Sequence, residues 1–148
     1  MIAERIIIHC SATKNGVSVS ANVIRKFHME ENGWSDIGYH LTIDVDGTLE
    51  MGRPLNEIGA HCRGENHNSI GICLIGTDRF SSAQFMALYY ELKTLHQCFD
   101  IPPWRIYCHN QFKSAIEQGK TCPGFEIGEL LAWYCGGYWD GIKRYLLD

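Results

Sequence analysis

The chain has 148 residues, of which 45% are apolar and 20% are charged, and its formal net charge is −4 at pH 7. This composition is typical of one ordered globular domain and excludes a disordered or low-complexity chain, so we expect a single domain over residues 1–148. The negative net charge gives no support to nucleic-acid binding. No apolar run approaches the roughly 20 residues that cross a bilayer. We therefore expect no nucleic-acid partner and no membrane insertion.

The N-terminal segment MIAERIIIHC has too short an apolar run for a secretory signal peptide and carries Glu4 and Arg5 within it. We expect a protein that is cytoplasmic as synthesised and that reaches any outer target through release or delivery by another system. The chain has seven cysteines. An odd count without an export signal favours free thiols, packed mostly as small apolar residues, over a disulfide framework.

The first half of the chain predicts a strand, a helix and a hairpin. The run RIIIH over residues 5–9 is apolar and rich in β-branched side chains, as in a strand buried on both faces. Ser20 is a capping residue for the helical pattern ANVIRKFHMEEN, which ends before Gly33. The segment GYHLTIDVDGTLEMG predicts a hairpin, because apolar residues alternate along it and Asp46-Gly47 is a strong turn signal.

The second half predicts two more strands and two more helices. The runs SIGICLIG over residues 69–76 and WRIYCH over residues 104–109 read as strands. Between them, Ser81 and Gln84 form a capping-box pattern that opens a long helix, and Pro102-Pro103 forbids its continuation. The segment EIGELLAWY predicts the last helix. These elements predict an α/β fold in which helices pack against the faces of one sheet.

The tail over residues 135–148 allows two interpretations. Gly136-Gly137 is compatible with a hinge, and the aromatic residues that follow either fold back on the core or meet a partner. We favour packing on the core.

The segment IEQGKTCPGF contains Gly119-Lys120-Thr121, which looks like the end of a phosphate-binding loop. Such a loop needs a glycine five positions before its Gly-Lys pair, and this position holds Ser114. Cys122-Pro123-Gly124 is typical of a turn and does not open a helix. The phosphate-loop interpretation is therefore excluded, and Lys120 and Cys122 are left for other chemistry.

Polar side chains close two of the predicted strands. His9 and His109 each end an apolar strand, and Cys122 lies thirteen residues after His109. Two imidazoles and a thiolate suit tetrahedral zinc, and three protein ligands leave the fourth position for water, as in a catalytic site. Spacing alone nevertheless favours unrelated histidines and buried thiols, because no short histidine or cysteine signature is present.

The other histidines are less specific. Tyr39 and His40 are neighbours in a predicted strand and should point to opposite faces, so that His40 faces a helix layer if Tyr39 faces a cleft. His28 lies in a helical pattern and is predicted to pack or to face solvent. His61 precedes a polar loop that leads into a strand.

Four sequence blocks together carry a family resemblance: IIIHCSAT, GWSDIGYHLTIDVDGTLEMGRP, IGAHCRGENHNSIGICLIG and KTCPGF. Their content and order resemble the type-2 N-acetylmuramoyl-L-alanine amidase and peptidoglycan recognition protein family, and in particular the zinc amidases of the T-odd bacteriophage lysozyme type. The resemblance extends from about residue 5 to residue 130. It implies a single α/β domain with a central mixed β-sheet flanked by α-helices.

The resemblance also implies roles for individual residues. His9, His109 and Cys122 match the ligands of one Zn²⁺ per chain, and Tyr39 and Lys120 match the catalytic pair. The segment from His109 to Cys122 is longer than in the phage lysozymes, which leaves the placement of Lys120 open. Three further residues are expected either to contact substrate or to fix their loop, namely His61, Asn66 and Asn68.

The implied reaction is hydrolysis of the amide between N-acetylmuramic acid and L-alanine in peptidoglycan, which is the expected partner of a monomeric enzyme. Zinc lowers the pKa of its bound water toward about 7, Tyr39 would orient that water, and Lys120 would stabilise the oxyanion. The alternative is a peptidoglycan-recognition module without activity, in which a residue equivalent to Cys122 is typically missing. The biological role stays open between a phage endolysin, a delivered effector and a recycling enzyme.

Overall fold

The computed structural model describes residues 1–148. Its strands are β1 (Arg5–Cys10), β2 (Leu41–Ile43), β3 (Leu49–Met51), β4 (Ser69–Leu74) and β5 (Ile106–Cys108). Its α-helices are α1 (Ala21–Glu30), α2 (Ser82–Phe99), α3 (Lys113–Glu117) and α4 (Ile127–Gly136). Short 3₁₀ turns occupy residues 66–68, 103–105, 109–111, 139–141 and 143–145. None of the helices combines the length and apolarity that a membrane crossing requires.

The five strands form one sheet in the order β3-β2-β4-β1-β5. The central strand β1 pairs in parallel with both β4 and β5, β2 pairs in parallel with β4, and β3 pairs antiparallel with β2. The predicted α/β fold with a central mixed sheet is confirmed. Parallel strands covered on both faces need apolar residues at nearly every position, which explains the uninterrupted apolar runs of β1 and β4.

Alternation along β1 assigns its side chains to two layers. Ile6, Ile8 and Cys10 belong to the larger core, which α2 and α4 complete. Ile7 and His9 project to the opposite face. On that side α1 packs through Ala21 and Ile24 in a smaller cluster. The histidine that closes β1 therefore lies on the α1 side of the sheet.

Helix starts follow their predicted caps, since the Ser20 hydroxyl accepts from the Val23 amide and Ser81 forms a capping box with Gln84. The hairpin from β2 to β3 turns at Asp46-Gly47, where Gly47 has a φ of 86°. Helix α3 was not predicted from the sequence. It has only five residues and no side-chain cap, too few to show helical periodicity.

The tail folds back on the face formed by α2 and α4. Ile142 is fully buried, and the Tyr145 ring packs 5.8 Å from the ring of Phe125. The backbone amide of Phe80 donates to the Tyr145 carbonyl at 2.7 Å, and the Leu147 amide donates back to the Phe80 carbonyl at 3.0 Å. These contacts join residues 139–148 to the core.

We expect Ile142→Ala to lower the free energy of unfolding by about 2–5 kcal/mol, because it leaves a cavity in a fully buried position. The matched control is Tyr138→Ala in the same tail, where the side chain is 69% exposed and the expected change is within about 0.5 kcal/mol. Urea unfolding of the two variants measures both values. Equal and small effects would show that the tail does not pack on the core in solution.

Candidate active site

Three potential metal ligands converge at the carboxyl edge of the sheet. His9 lies in β1, His109 directly follows β5, and Cys122 lies in the loop before α4. One donor atom from each residue falls within 4.8 Å of the others. The carboxyl ends of adjacent parallel strands meet at one edge, so the pairing of β1 with β5 brings the two histidines together.

The donor set and its spacing fit zinc. The Sγ atom of Cys122 lies 3.8 Å from Nδ1 of His9. A tetrahedral zinc with a Zn–S bond of about 2.3 Å and a Zn–N bond of about 2.0–2.1 Å places such a pair about 3.6 Å apart. His9 is 1% exposed and His109 is 7% exposed, so a bound cation would be shielded from bulk water on the protein side. Three ligands leave one tetrahedral position for water or substrate.

Backbone hydrogen bonds hold the cysteine loop against the histidine strands. The Asn110 amide, next to His109, donates to the Cys122 carbonyl at 2.8 Å. The Cys10 amide, next to His9, donates to Cys122 Sγ at 3.1 Å. A cis peptide bond joins Cys122 to Pro123. Each of the two histidines is thus followed by a residue whose backbone anchors Cys122.

Burial keeps the imidazoles of the site neutral. It lowers the pKa of His61 to about 3 and that of His109 to about 4, and it is the largest cause of the lowered pKa of His9. Neutral imidazoles present a lone pair to a cation. The hydrogen bond between the Cys122 and Cys10 thiols, together with burial, raises the pKa of Cys122. Binding of a metal would therefore release a proton from Cys122.

The three potential metal ligands line one wall of an open cleft of about 420 Å³. Aromatic side chains of α1 and of the loop that follows it form the opposite wall. The ring of Tyr39 lies 5.2 Å from that of His9, and the ring of Trp34 lies 4.7 Å from that of His28. Burial and, after it, the Cys73 thiol raise the pKa of Tyr39, so its phenol stays protonated and can donate a hydrogen bond. Sequence reasoning missed the place of His28 in this wall, because helical periodicity does not say where α1 lies relative to β1.

The prediction for His40 was wrong. Its Nδ1 accepts from the Gly71 amide at 2.9 Å and its ring packs 5.6 Å from His61, on the site side of the sheet. Strand alternation does not extend to this residue, because β2 begins only at Leu41.

Lys120 lies at the exposed rim of the same cleft. Helix α3 fills the long segment after His109, and the Lys120 amide closes its end by donating to the Ala115 carbonyl at 2.9 Å. Gly119, with a φ of 63°, turns the chain there. The Lys120 charge contributes to the lowered pKa values of His9 and His109, which places the ammonium within electrostatic reach of both histidines.

The three residues expected near substrate have different positions. His61 lines the cleft and contacts His9 directly. Asn66 Oδ1 accepts from the amides of His61 and Cys62, both at 2.9 Å, and so fixes their loop. Asn68 donates to Glu4 at 2.9 Å beside the first residues of β1 and β4, the end of the sheet opposite the cleft. The structure therefore does not bring Asn68 to the site, because the strand separates it from the carboxyl edge.

The fold and this cluster define a class of compact α/β domains that carry two histidines and a cysteine at the carboxyl edge of a mixed sheet. A family model described as N-acetylmuramoyl-L-alanine amidase matches residues 2–125. The chain belongs to this family and is an amidase.

Individual relatives agree with this assignment. The chain is 38% identical over 132 residues to the endolysin of Escherichia phage T7, an alignment that covers 84% of this chain and 82% of the relative. The structure of the N-acetylmuramoyl-L-alanine amidase LysC from Clostridium intestinale is similar with a TM-score of 0.77 and 26% identity, over 91% of this chain and 86% of that chain. Peptidoglycan recognition protein-LE, solved with tracheal cytotoxin, matches with a TM-score of 0.71 and 27% identity over 83% of this chain and 75% of its own.

We expect the chelator-treated protein to lose stability as the pH falls below about 6.5. The folded-state pKa values of His61 and His109 are about 3 and about 4 against an ordinary 6.5, so the unfolded chain binds more protons between these limits. Each histidine that is protonated only when unfolded lowers stability by about 1.4 kcal/mol per pH unit.

Urea midpoints measured between pH 7 and pH 5 test this dependence. His67→Gln serves as the control, since it removes a histidine that lies at the surface, outside the buried group. A midpoint that stays constant down to pH 5 would contradict the buried, neutral state of these histidines.

Proposed function

We propose that this chain is a zinc-dependent N-acetylmuramoyl-L-alanine amidase that cleaves the amide between N-acetylmuramic acid and L-alanine in peptidoglycan. The observation that carries the proposal is the convergence of His9, His109 and Cys122 within 4.8 Å, in one cleft with Tyr39 and Lys120. Its relatives support it, because one is an endolysin and another was solved with a monomeric peptidoglycan. The endolysin relatives favour a lytic role at the cell wall.

The ligand residues are prepared for a divalent cation. His9 and His109 are kept neutral by burial, and the Cys10 amide stabilises negative charge on the Cys122 sulfur. When bound, zinc supplies a Lewis acid that activates water and polarises the scissile carbonyl. The open cleft accepts an extended polymer, because it is bounded by side chains on two walls and is not closed over.

Tyr39 and Lys120 supply the groups around the reacting carbonyl. The protonated Tyr39 phenol, next to His9, can hold the attacking water in line with the carbonyl carbon. The Lys120 ammonium can approach the carbonyl oxygen from the rim and stabilise its developing charge, a contribution of about 2.7–4 kcal/mol per donor in related sites. Burial prepares Tyr39 for its role, whereas exposure leaves Lys120 free to follow the substrate.

A recognition module without activity is the competing function. The relatives of this chain include peptidoglycan recognition proteins, one of which is 34% identical to it over 130 residues. The position of Cys122 argues against this alternative. The Cys10 amide holds Cys122 Sγ 3.8 Å from Nδ1 of His9, a separation at which both atoms could bind one metal ion. Activity on purified sacculi separates the two functions.

We expect the purified protein to carry about one zinc per chain, and His9→Ala, His109→Ala and Cys122→Ser each to lose most of it. Cys108→Ala is the matched control, because its thiol precedes a ligand but packs in the core on the other face of the sheet. Metal analysis of folded protein gives the result. Zinc retained by all three ligand variants would overturn the ligand assignment.

We expect Tyr39→Phe and Lys120→Ala to keep zinc and the fold, and the lysine variant to lose about 10²–10³-fold in turnover, as on removal of one oxyanion donor. Lys113→Ala, an exposed lysine of α3, should retain full activity. The assay is the release from sacculi of peptides with a free N-terminal alanine. Wild-type rates in either variant would remove that residue from the mechanism, and new reducing sugar ends would show that a glycosidic bond is cut instead.

A further inference from the structure

A continuous chain of hydrogen bonds runs from the backbone to the ligand His9. The Ser69 hydroxyl donates to the Glu65 carbonyl at 2.6 Å. Nε2 of His61 lies 3.3 Å from the Ser69 hydroxyl oxygen and 3.5 Å from the Ser69 carbonyl oxygen. Nδ1 of His61 lies 2.9 Å from Nε2 of His9. His61 therefore has both ring nitrogens engaged within the protein and none free for substrate.

The chemistry of the partners determines where each proton lies. A hydroxyl has one proton, and Ser69 gives its proton to the Glu65 carbonyl, so Ser69 Oγ accepts from His61. A neutral imidazole carries a single N–H. His61 is thus the Nε2–H tautomer and its Nδ1 is an acceptor. His9 must then donate from Nε2, which leaves the lone pair of its Nδ1 directed toward Cys122 Sγ at 3.8 Å.

The other tautomer of His9, which carries its proton on Nδ1, is unfavourable next to His61. It would oppose two lone pairs at 2.9 Å and would place a proton at Nδ1, where a metal must bind. His9 is 1% exposed and His61 is 8% exposed, so water is not free to replace the missing donor. A buried acceptor without a partner costs about 1–3 kcal/mol.

The sheet makes room for this arrangement at one glycine. Gly71 of β4 pairs with Ile7 of β1 and therefore belongs to the same face of the sheet as Ile7. His9 lies two residues after Ile7 and projects to that face as well. A Cβ atom at Gly71 would lie 2.5 Å from Cγ of His61 and 2.8 Å from its Nδ1. Only a residue without a side chain lets the His61 ring lie over β4 beside His9.

We propose that His61 is a positioning residue of the metal site, which fixes the tautomer and orientation of His9 so that Nδ1 faces the cation. Ser69 orients His61, and Gly71 provides the space for its ring. The inference rests on the proposed function in one respect, namely that His9 is a zinc ligand. It replaces the expected contact of His61 with substrate. Residues that orient a ligand histidine typically change metal affinity by about 10–100-fold when removed.

The first experiment needs neither zinc nor activity. In the chelator-treated protein, ¹⁵N shifts of the histidine rings report the tautomer of each residue. We expect His9 to be the Nε2–H form in the wild type and in His61→Asn, since Asn Oδ1 replaces Nδ1 as acceptor, and to be a mixture in His61→Leu. His40→Leu is the matched control, because His40 is also buried and bonds to backbone groups but not to His9.

The second experiment measures zinc affinity by competition with a chelator. We expect His61→Leu and Gly71→Ala to bind about 10–100-fold more weakly than wild type, and His61→Asn and His40→Leu to stay within about threefold. Melting of the metal-free forms identifies any variant that fails to fold. If His61→Leu does not fold, Gly71→Ala takes its place, because a Cβ atom at Gly71 displaces the His61 ring from His9 and should weaken zinc binding in the same direction.

Wild-type zinc affinity together with an unchanged His9 tautomer in His61→Leu, or in Gly71→Ala as its substitute, would overturn the proposal. A wild-type protein that binds no zinc would instead refute the proposed function. The tautomer of His9 in the metal-free protein would still decide whether His61 directs it.

Discussion

The parallel pairing of β1 with β4 and β5 is the constraint on which the rest of the site depends. It aligns the carboxyl ends of β1 and β5, so that His9 and His109 meet at one edge although they lie far apart in the sequence. It also places Gly71 and Cys73 on the face that carries His9. A shift of one residue in the register would turn His9 into the apolar core and expose Ile8 to the cleft.

The domain holds several neutral histidines in its interior. Burial of a polar ring is unfavourable unless its nitrogens are bonded, and here backbone groups and the Ser69 hydroxyl bond them. The amides of Gly38 and Gly71 donate to His28 and His40, and Ser69 accepts from His61. These bonds fix each tautomer without a charge. Rings that stay neutral near pH 7 are suited to metal ligation but make the metal-free fold sensitive to acid.

The side chains of the candidate site lie in two kinds of surroundings, some in rigid parts of the fold and one at the exposed surface. The proposed histidine ligands lie in or next to strands, and backbone amides anchor the cysteine loop to them. Lys120 lies in contrast at the end of a short helix at the surface. Metal ligation requires donor atoms at nearly constant separations. A charged side chain that contacts a polymeric substrate, in contrast, benefits from an exposed position in which it can adjust to the substrate. The relatives show that this fold occurs in endolysins and in recognition proteins, so the groups around the cleft decide the activity.

The sequence by itself determined most of the elements and the candidates for the ligand set. The sequence patterns predict the strands, the helix caps at Ser20 and Ser81 and the turn at Asp46-Gly47. Each of these features depends only on residues that are close together along the chain. The resemblance of ordered blocks supplied His9, His109 and Cys122 as candidates, which the structure brings within 4.8 Å.

Only the tertiary structure decided the remaining assignments. It joined His61 to His9, placed His28 in the cleft wall, moved Asn68 to the far end of β4, formed α3 and packed the tail on Phe80 and Phe125. Each of these depends on contacts between segments that are distant along the chain. Such contacts follow from sheet register and packing, and neither has a local signature that periodicity or composition can report.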